Sequence, residues 1–282
     1  MGSAWYHYDS SLYGTVRDCL RETTRLEPDY TEAWARLADD YARQWYGYEE
    51  LYPGETYDPL ERAMEAANRA IFLSPDSGVA HYAMAKAFLM SGDLASFRGE
   101  VRQALRLIPN EPVFLASLGG WLAYTGRWDE GLALIEKAEA LNPASHGICR
   151  HFVPALNYFR RGEYNKAVDC IQKSSTGWWV NYMHQAFING MAGNSEAASE
   201  ALAKVLELRP TFSMREAIEF HQKYCFEQSY IDLVMEGLRR AGLAEAKAKE
   251  ATMPELHVSE PTTTKCPWNK GKLVGAKPPL QP

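Results

Sequence analysis

The sequence lacks most of the features that mark secreted, zinc-binding or membrane proteins. Its five cysteines are scattered and never form a CxxC pair, which argues against a zinc site and against a disulfide framework. No apolar run approaches the roughly 18 residues of a membrane-spanning helix. The opening residues, MGSAWYHYD, do not follow the charged-then-apolar plan of a signal peptide. We therefore expect a cytoplasmic protein with no membrane partner.

Signatures of catalysis and of nucleic-acid binding are also missing. The sequence contains no GxxxxGK[ST], GxGxxG, HExxH or GxSxG motif. The net charge of −6 gives no general reason to expect nucleic acid. His146, Cys149 and His151 lie near one another in the sequence, but their spacing is a poor match to known metal sites. We predict a chain that is not an enzyme and that holds no cofactor and no metal.

What the sequence does contain is a period of 34 residues, which separates Pro75, Pro109 and Pro143. After each of the first two prolines, apolar residues spaced by three and four positions indicate one face of a helix. A turn containing glycine follows, and a second helix then runs to the next proline. The turn glycines fit a left-handed helix cap; they are Gly92, Gly126, Gly162 and Gly193.

This pattern resembles the tetratricopeptide repeat, which has two antiparallel helices per 34 residues. The resemblance covers about residues 15 to 210 and includes alanines in the second helices. It implies an all-α fold: a right-handed superhelix, or α-solenoid, of about five helical hairpins with capping helices at its C-terminal end. The matching alanines are Ala63, Ala70, Ala104, Ala138, Ala167 and Ala198.

The sequence departs from a regular repeat in three places. An aromatic insertion, Gln44 to Pro59, lengthens the second unit, and Pro154 falls inside a predicted helix, where we expect a bend or a shortened helix. The first unit has only its second helix. Either the first dozen residues form a cap, or the chain is a fragment of a longer protein.

The two ends of the repeat region suggest an origin. The stretch YIDLVMEGLRRAGLAE resembles the close of tetratricopeptide regions attached to bacterial class III nucleotide cyclases and to winged-helix regulators. That resemblance implies a detached partner or sensor module of a bacterial regulator. We predict a solenoid over residues 1–243 and a disordered tail over 244–282, rich in proline and lysine. The stretch PWNKGKLVGAKPPL in this tail is similar to the opening of phage-type tyrosine recombinases, which implies rearrangement by a mobile element; a solvated basic tail and a DNA-binding role both remain open.

The first helices of such hairpins line a concave groove. The predicted lining is charged at its first end and then apolar and rich in methionine and aromatic residues, which favours a protein or peptide partner. The alternative is that these residues pack against the terminal helices or the aromatic loop. The predicted groove residues are Arg36, Asp39, Arg43, Tyr82, Lys86, Met90, Tyr124, Met183, Phe187 and Met191.

These observations predict a non-catalytic scaffold that binds a protein or peptide of unknown identity. A second hypothesis is a small-molecule sensor, in which the loop Trp45–Tyr57 closes over the groove. A third is a recombined gene fragment that folds without a retained function. Exposed solenoid ends would also favour a homo-oligomer.

Overall fold

The computed structural model describes residues 13–45, 56–143, 149–174 and 178–244. Within these ranges the chain forms 13 α-helices and no β-strand. The helices are α1 (Tyr13–Leu26), α2 (Thr31–Trp45), α3 (Pro59–Leu73), α4 (Gly78–Ser91), α5 (Leu94–Leu107), α6 (Pro112–Tyr124), α7 (Trp128–Leu141), α8 (Cys149–Arg160), α9 (Tyr164–Gln172), α10 (Trp179–Ala192), α11 (Ser195–Leu208), α12 (Met214–Lys223) and α13 (Gln228–Arg240).

Consecutive helices pair into five hairpins: α2–α3, α4–α5, α6–α7, α8–α9 and α10–α11. Each hairpin packs against the next, and α1 packs on α2. This arrangement confirms the predicted all-α stack. Residues 1–12, which the sequence suggested as a cap, and the tail beyond residue 244 lie outside the described residues.

Glycine ends the first helix of four hairpins, as the turn sequences predict. Gly92, Gly126, Gly162 and Gly193 have φ angles of 76°, 88°, 76° and 80°. Residues other than glycine rarely adopt this left-handed backbone conformation. Because glycine adopts it without strain, the chain can reverse direction at these positions at little cost in free energy. These turns set the antiparallel geometry of the hairpins.

Small residues let the two helices of a hairpin approach closely. In α6–α7, a Cβ atom added to Gly119 would lie 2.6 Å from the carbonyl oxygen of Gly131, so neither position has room for a side chain. The predicted alanines are all buried: Ala63, Ala70, Ala104, Ala138, Ala167 and Ala198.

The proline in the fourth hairpin does not interrupt its helix. α8 runs from Cys149 to Arg160 through Pro154 and has 12 residues, against 14 in α4 and α10. Because Pro154 lies in the second turn, its missing amide leaves only a carbonyl of the first turn without its helical partner. In the described part of the chain, no helix is both long enough and apolar enough to cross a lipid bilayer.

Candidate binding groove

The first helices of the first two hairpins are joined by buried charges on the face that the sequence predicts to line the groove. Nζ of Lys86 on α4 donates a hydrogen bond to Oδ1 of Asp39 on α2 across 2.5 Å. Nε of Arg43 lies 3.8 Å from the other oxygen of the same carboxylate. Arg36, one turn earlier on α2, pairs with Glu32 at 3.3 Å. The structure thus brings together four of the predicted groove residues.

Burial and charge act against each other on this pair. Burial tends to raise the pKa of the Asp39 carboxyl, but the nearby Lys86 and Arg43 cations outweigh it and hold that pKa below its usual value. Burial lowers the pKa of the Lys86 ammonium, and the Asp39 carboxylate only partly compensates. Because each group supports the charged form of the other, they form one electrostatic unit.

Aromatic rings continue this surface onto the third hairpin. The ring of Tyr82 lies 4.4 Å from that of Phe114 and 5.1 Å from that of Trp121, both on α6. Lys86 Nζ lies 5.9 Å from the Trp121 ring, and Arg36 Cζ lies 5.8 Å from the Phe114 ring, which places cations over both aromatic faces. Phe114 and Trp121 are not among the predicted groove residues; the signal that identifies them is the pair of rings seven positions apart on one helix face.

The chain itself fills another part of the groove. α13 packs against α10, and α12 places Phe220 and His221 against the first half of α10. The end of α12 and the α12–α13 connection reach the carboxyl ends of α2, α4 and α6. We call this segment, residues 214–240, the return segment. The return segment contacts four first helices. Lys223 Nζ lies 3.1 Å from the Trp45 carbonyl at the end of α2, and Cys225 Sγ lies 3.5 Å from the Leu89 carbonyl on α4. The Phe226 ring lies 4.8 Å from the Tyr124 ring on α6, and the Tyr230 ring lies 5.7 Å from the Phe159 ring on α8.

The return segment explains where the other predicted groove residues lie. Phe187 is fully buried against His221 and Gly237, and Tyr124 is half-buried against Tyr224 and Phe226. Met90 and Met183 are buried in the core, and Met191 is half-buried. For Tyr124 and Phe187, the surface that would face a partner is therefore already occupied by this chain.

Two histidines lie in the aromatic core between α10 and α12. The rings of His184 and His221 are 5.6 Å apart, and Phe187, Phe220 and Tyr230 surround them. Each Nδ1 donates a hydrogen bond to a carbonyl of its own helix at 2.7 Å. Burial lowers the pKa of His221 to about 4, and burial together with the proximity of His221 lowers the pKa of His184 well below its ordinary value.

Two polar atoms of the return segment have no partner among the described residues. Nε2 of His221 and the hydroxyl oxygen of Tyr230 are buried and accept or donate no hydrogen bond there. Burial alone raises the pKa of Tyr230 well above its usual value. A buried polar group that has lost water without gaining a partner destabilises the state that contains it.

The remaining candidate features are weaker. A cleft of about 170 Å³ lies at the start of α13, lined by Tyr124, Trp128, Arg160, Phe226, Glu227, Ser229, Tyr230 and Leu233. The described part of the chain contains no cluster of three or more His, Cys, Asp or Glu residues that could hold a metal ion, and His146 lies outside it.

The aromatic insertion is described only at its two ends. The Tyr57 hydroxyl donates to Oε1 of Gln44 at 2.7 Å, and its ring meets the Tyr41 ring edge-on at 5.5 Å. These contacts hold the second end of the insertion on α2. The rest of the loop that the sensor hypothesis requires lies outside the described residues.

Comparison with known proteins supports the architecture. No protein-family model and no curated protein matches the sequence. Among solved structures, the chain is similar to PilW, a widely conserved type IV pilus biogenesis factor, with a TM-score of 0.54 and 15% identity over 72% of this chain and 90% of that one. It is also similar to the APC/C hetero-tetramer Cut9–Hcn1, with a TM-score of 0.60 and 14% identity over 83% of this chain and 44% of that one.

The fold is a tetratricopeptide solenoid. A further similar structure is the human IFIT1 dimer with m7Gppp-AAAA, with a TM-score of 0.59 and 17% identity. The match covers 83% of this chain and 56% of the IFIT1 chain, so the solenoid spans about half the length of that protein.

Proposed function

We propose that this solenoid is a non-catalytic scaffold that binds a protein segment on the inner face of α2, α4 and α6. The observation that carries the proposal is the half-buried Tyr82 ring, which packs on the buried Phe114 and Trp121 rings beside the Asp39–Lys86 pair. At its edge, the Arg36 side chain is 32% exposed. Aromatic rings beside a partly exposed arginine are typical of the residues that dominate protein interfaces.

The charges of this surface favour a peptide over a nucleic acid. The cations Lys86, Arg43 and Arg36 already face Asp39 and Glu32, so little excess positive charge remains for phosphates. A segment with an apolar side chain for the half-buried Tyr82 ring and a single carboxylate near Arg36 would complement the surface, because three cations there face two carboxylates. The RNA in the IFIT1 structure belongs to that protein, and an RNA ligand here would require a more basic groove.

Site-specific photo-crosslinking tests the proposal. A photoreactive phenylalanine at Tyr82 should capture a protein segment in cells, and the same group at the exposed Ala133 on α7 should not. Arg36→Glu should reduce the yield at position 82 at least about fivefold, because it reverses the charge that meets the partner. Equal capture at both positions, or capture of nucleic acid at position 82, would contradict the proposal.

The cellular setting that we propose is the cytoplasm of a bacterium, where the chain is a detached module of a larger regulator. The resemblance of residues 230–245 to the close of cyclase-linked and winged-helix-linked repeats supports it, and Cys19, Cys170 and Cys225 are free thiols, as expected in a reducing compartment. The neighbouring reading frames test this setting: a cyclase or winged-helix domain upstream would support it, and an integrase downstream would support rearrangement by a mobile element.

Self-association is a separate proposal. Leu26, Tyr30 and Phe72 on the first three helices and their connections are exposed by 62%, 47% and 76%. Exposed apolar side chains that lie near one another favour contact with a second copy, and Arg69 contacts both Asp29 and the Phe72 ring in this region. Light scattering should then show a dimer that Phe72→Ser weakens, while the exposed and polar control Arg102→Ser leaves the mass unchanged.

A further inference from the structure

The inward face of α12 shows what chemistry the covered part of the groove accepts. Phe220 lies 5.6 Å from Trp179, His221 lies 5.6 Å from His184, and Tyr224 lies 5.8 Å from Tyr124, measured between ring centroids. The opposite face of α12 is exposed and polar; it consists of Arg215, Glu219, Gln222 and Lys223. The groove therefore holds a short amphipathic helix whose inward side carries the rings of Phe220 and His221 together with Met214 and Ala217.

The return segment occupies this position at a cost. Cys225, between α12 and α13, has a φ angle of 58°, which makes it the one non-glycine residue with positive φ in the described part of the chain. A side chain in this left-handed region is strained. His221 Nε2 and the Tyr230 hydroxyl add two unpartnered buried atoms within ten residues of sequence. Strain and lost hydrogen bonds are thus concentrated in the segment that fills the groove.

We propose that the return segment is an internal competitor in the groove, and that the partner is a short amphipathic helix whose aromatic side chains replace those of Phe220, Tyr224 and Phe226. This inference rests on the proposed function, that the concave side binds a protein segment. A partner helix without a left-handed residue or unpartnered polar atoms would bind the same surface without those costs. Because the connection between α11 and α12 is only five residues, 209–213, a displaced return segment stays close and competes at a high effective concentration.

Two variants of the full chain shift this competition in opposite directions. Gly237→Val should weaken docking of α13, because a Cβ atom at position 237 would meet the Phe187 carbonyl oxygen, and backbone cannot move aside easily. Cys225→Gly should strengthen docking, because glycine adopts positive φ without strain and the contact that it removes, from Sγ to the Leu89 carbonyl at 3.5 Å, is a weak hydrogen bond. Gly99→Val, which meets open space on α5, is the matched control for the first variant.

The probe is a fluorescein-labelled synthetic peptide with the sequence of residues 212–232, compared with a scrambled peptide of the same composition. Gly237→Val should bind the peptide at least tenfold more tightly than the original chain does, and Cys225→Gly should bind it more weakly. Hydrogen exchange of residues 214–240 should speed up in the first variant and slow down in the second. Alkylation of Cys225 should accelerate in Gly237→Val, while that of Cys170 on α9 stays unchanged.

The outcomes separate this inference from the proposed function. If exchange of the return segment rises in Gly237→Val without tighter and sequence-dependent peptide binding, the proposed partner chemistry is wrong. If neither variant changes the exchange of residues 214–240, the segment is a fixed part of the core and does not compete. Should Gly237→Val fail to fold, Cys225→Gly alone decides, because unchanged exchange and unchanged peptide affinity in that variant would overturn the proposal. The crosslink at Tyr82 reports on α4 and α6 and stands or fails independently.

Discussion

Lys86 and Asp39 form a buried ion pair that joins the second hairpin to the first, with 2.5 Å between Nζ and Oδ1. The two side chains are 11% and 13% exposed, so neither can recover its hydration if the other is removed. The pair therefore fixes how α4 sits on α2 at the place where we propose that a partner binds.

Removal of one partner of this pair should be costly. Lys86→Met should lower the free energy of unfolding by about 3 kcal/mol, because it leaves the Asp39 carboxylate buried with a weaker set of cations. Lys204→Met, which breaks the exposed pair with Glu207, should cost less than about 1 kcal/mol. Urea denaturation measures both values. The double variant Asp39→Leu/Lys86→Met should recover most of the loss, and a double variant as unstable as Lys86→Met would contradict this account.

The glycine contact inside α6–α7 makes a second prediction. Gly131→Ala should destabilise the protein by about 2 kcal/mol, because the new methyl group would meet the carbonyl oxygen of Gly119 and the amide nitrogen of Ala123. Thermal denaturation should show the melting temperature falling by roughly 4–8 °C. Gly99→Ala, on the open side of α5, should instead raise stability by up to about 1 kcal/mol through helix propensity. Equal effects at the two positions would show that close packing is not the cause.

The buried histidines predict acid sensitivity. The pKa of His221 is about 4 in the folded chain and about 6.5 when unfolded, so the unfolded state binds the proton first as the pH falls. The contribution of His221 to the free energy of unfolding should therefore be constant above pH 6.5. Between pH 6.5 and 4 it should fall by about 1.4 kcal/mol per pH unit. Urea denaturation across this range measures the slope. His221→Phe should flatten the curve, and a slope identical to that of the original chain would exclude His221 as its source.

His81 should show the opposite dependence on pH. Its Nδ1 lies 2.5 Å from Oε2 of Glu100 and its Nε2 lies 2.8 Å from the Pro75 carbonyl, so both nitrogens can donate when the ring is charged. The hydrogen bond with Glu100 is the main reason that the pKa of His81 is raised. This stabilisation is complete below the unfolded pKa and is lost as the pH rises through the folded one. An NMR titration should show a high pKa that Glu100→Gln lowers and that Glu136→Gln on α7 does not change.

Much of the fold could be predicted because its causes are local. The left-handed φ at Gly92 and the burial of Ala63 follow from residue patterns within one repeat. Because the same pattern recurs in several repeats, it can be recognised with more certainty than a single occurrence. The cluster of Asp39 and Lys86 also follows, since equivalent positions in neighbouring units lie side by side. To predict these parts of the structure, only the length of the repeat and the face of each helix must be known.

Periodicity leaves the filling of the groove as one of two alternatives, and Tyr124 and Phe187 adopt the one in which they pack against the terminal helices. The contact between Tyr124 and Phe226 joins the third hairpin to the return segment, and helix periodicity shows that a face is buried but not what covers it. The density of aromatic residues in FHQKYCFEQSY, residues 220–230, was the available signal that this end of the chain is buried. Phe114 and Trp121 lie outside the inward positions that spacing predicts, because ring size decides which side chains reach across to Tyr82.

The hydrogen bond from Lys223 to the Trp45 carbonyl spans 178 positions of sequence. A linear array of repeats communicates only between neighbours, and it can melt from either end one unit at a time. Here α12 and α13 contact the first helix of the α2–α3 hairpin and of every later hairpin. Unfolding at one end of the array must therefore also break contacts at the other end. We expect the array to unfold in a single cooperative transition, as a closed loop would, rather than by stepwise unravelling.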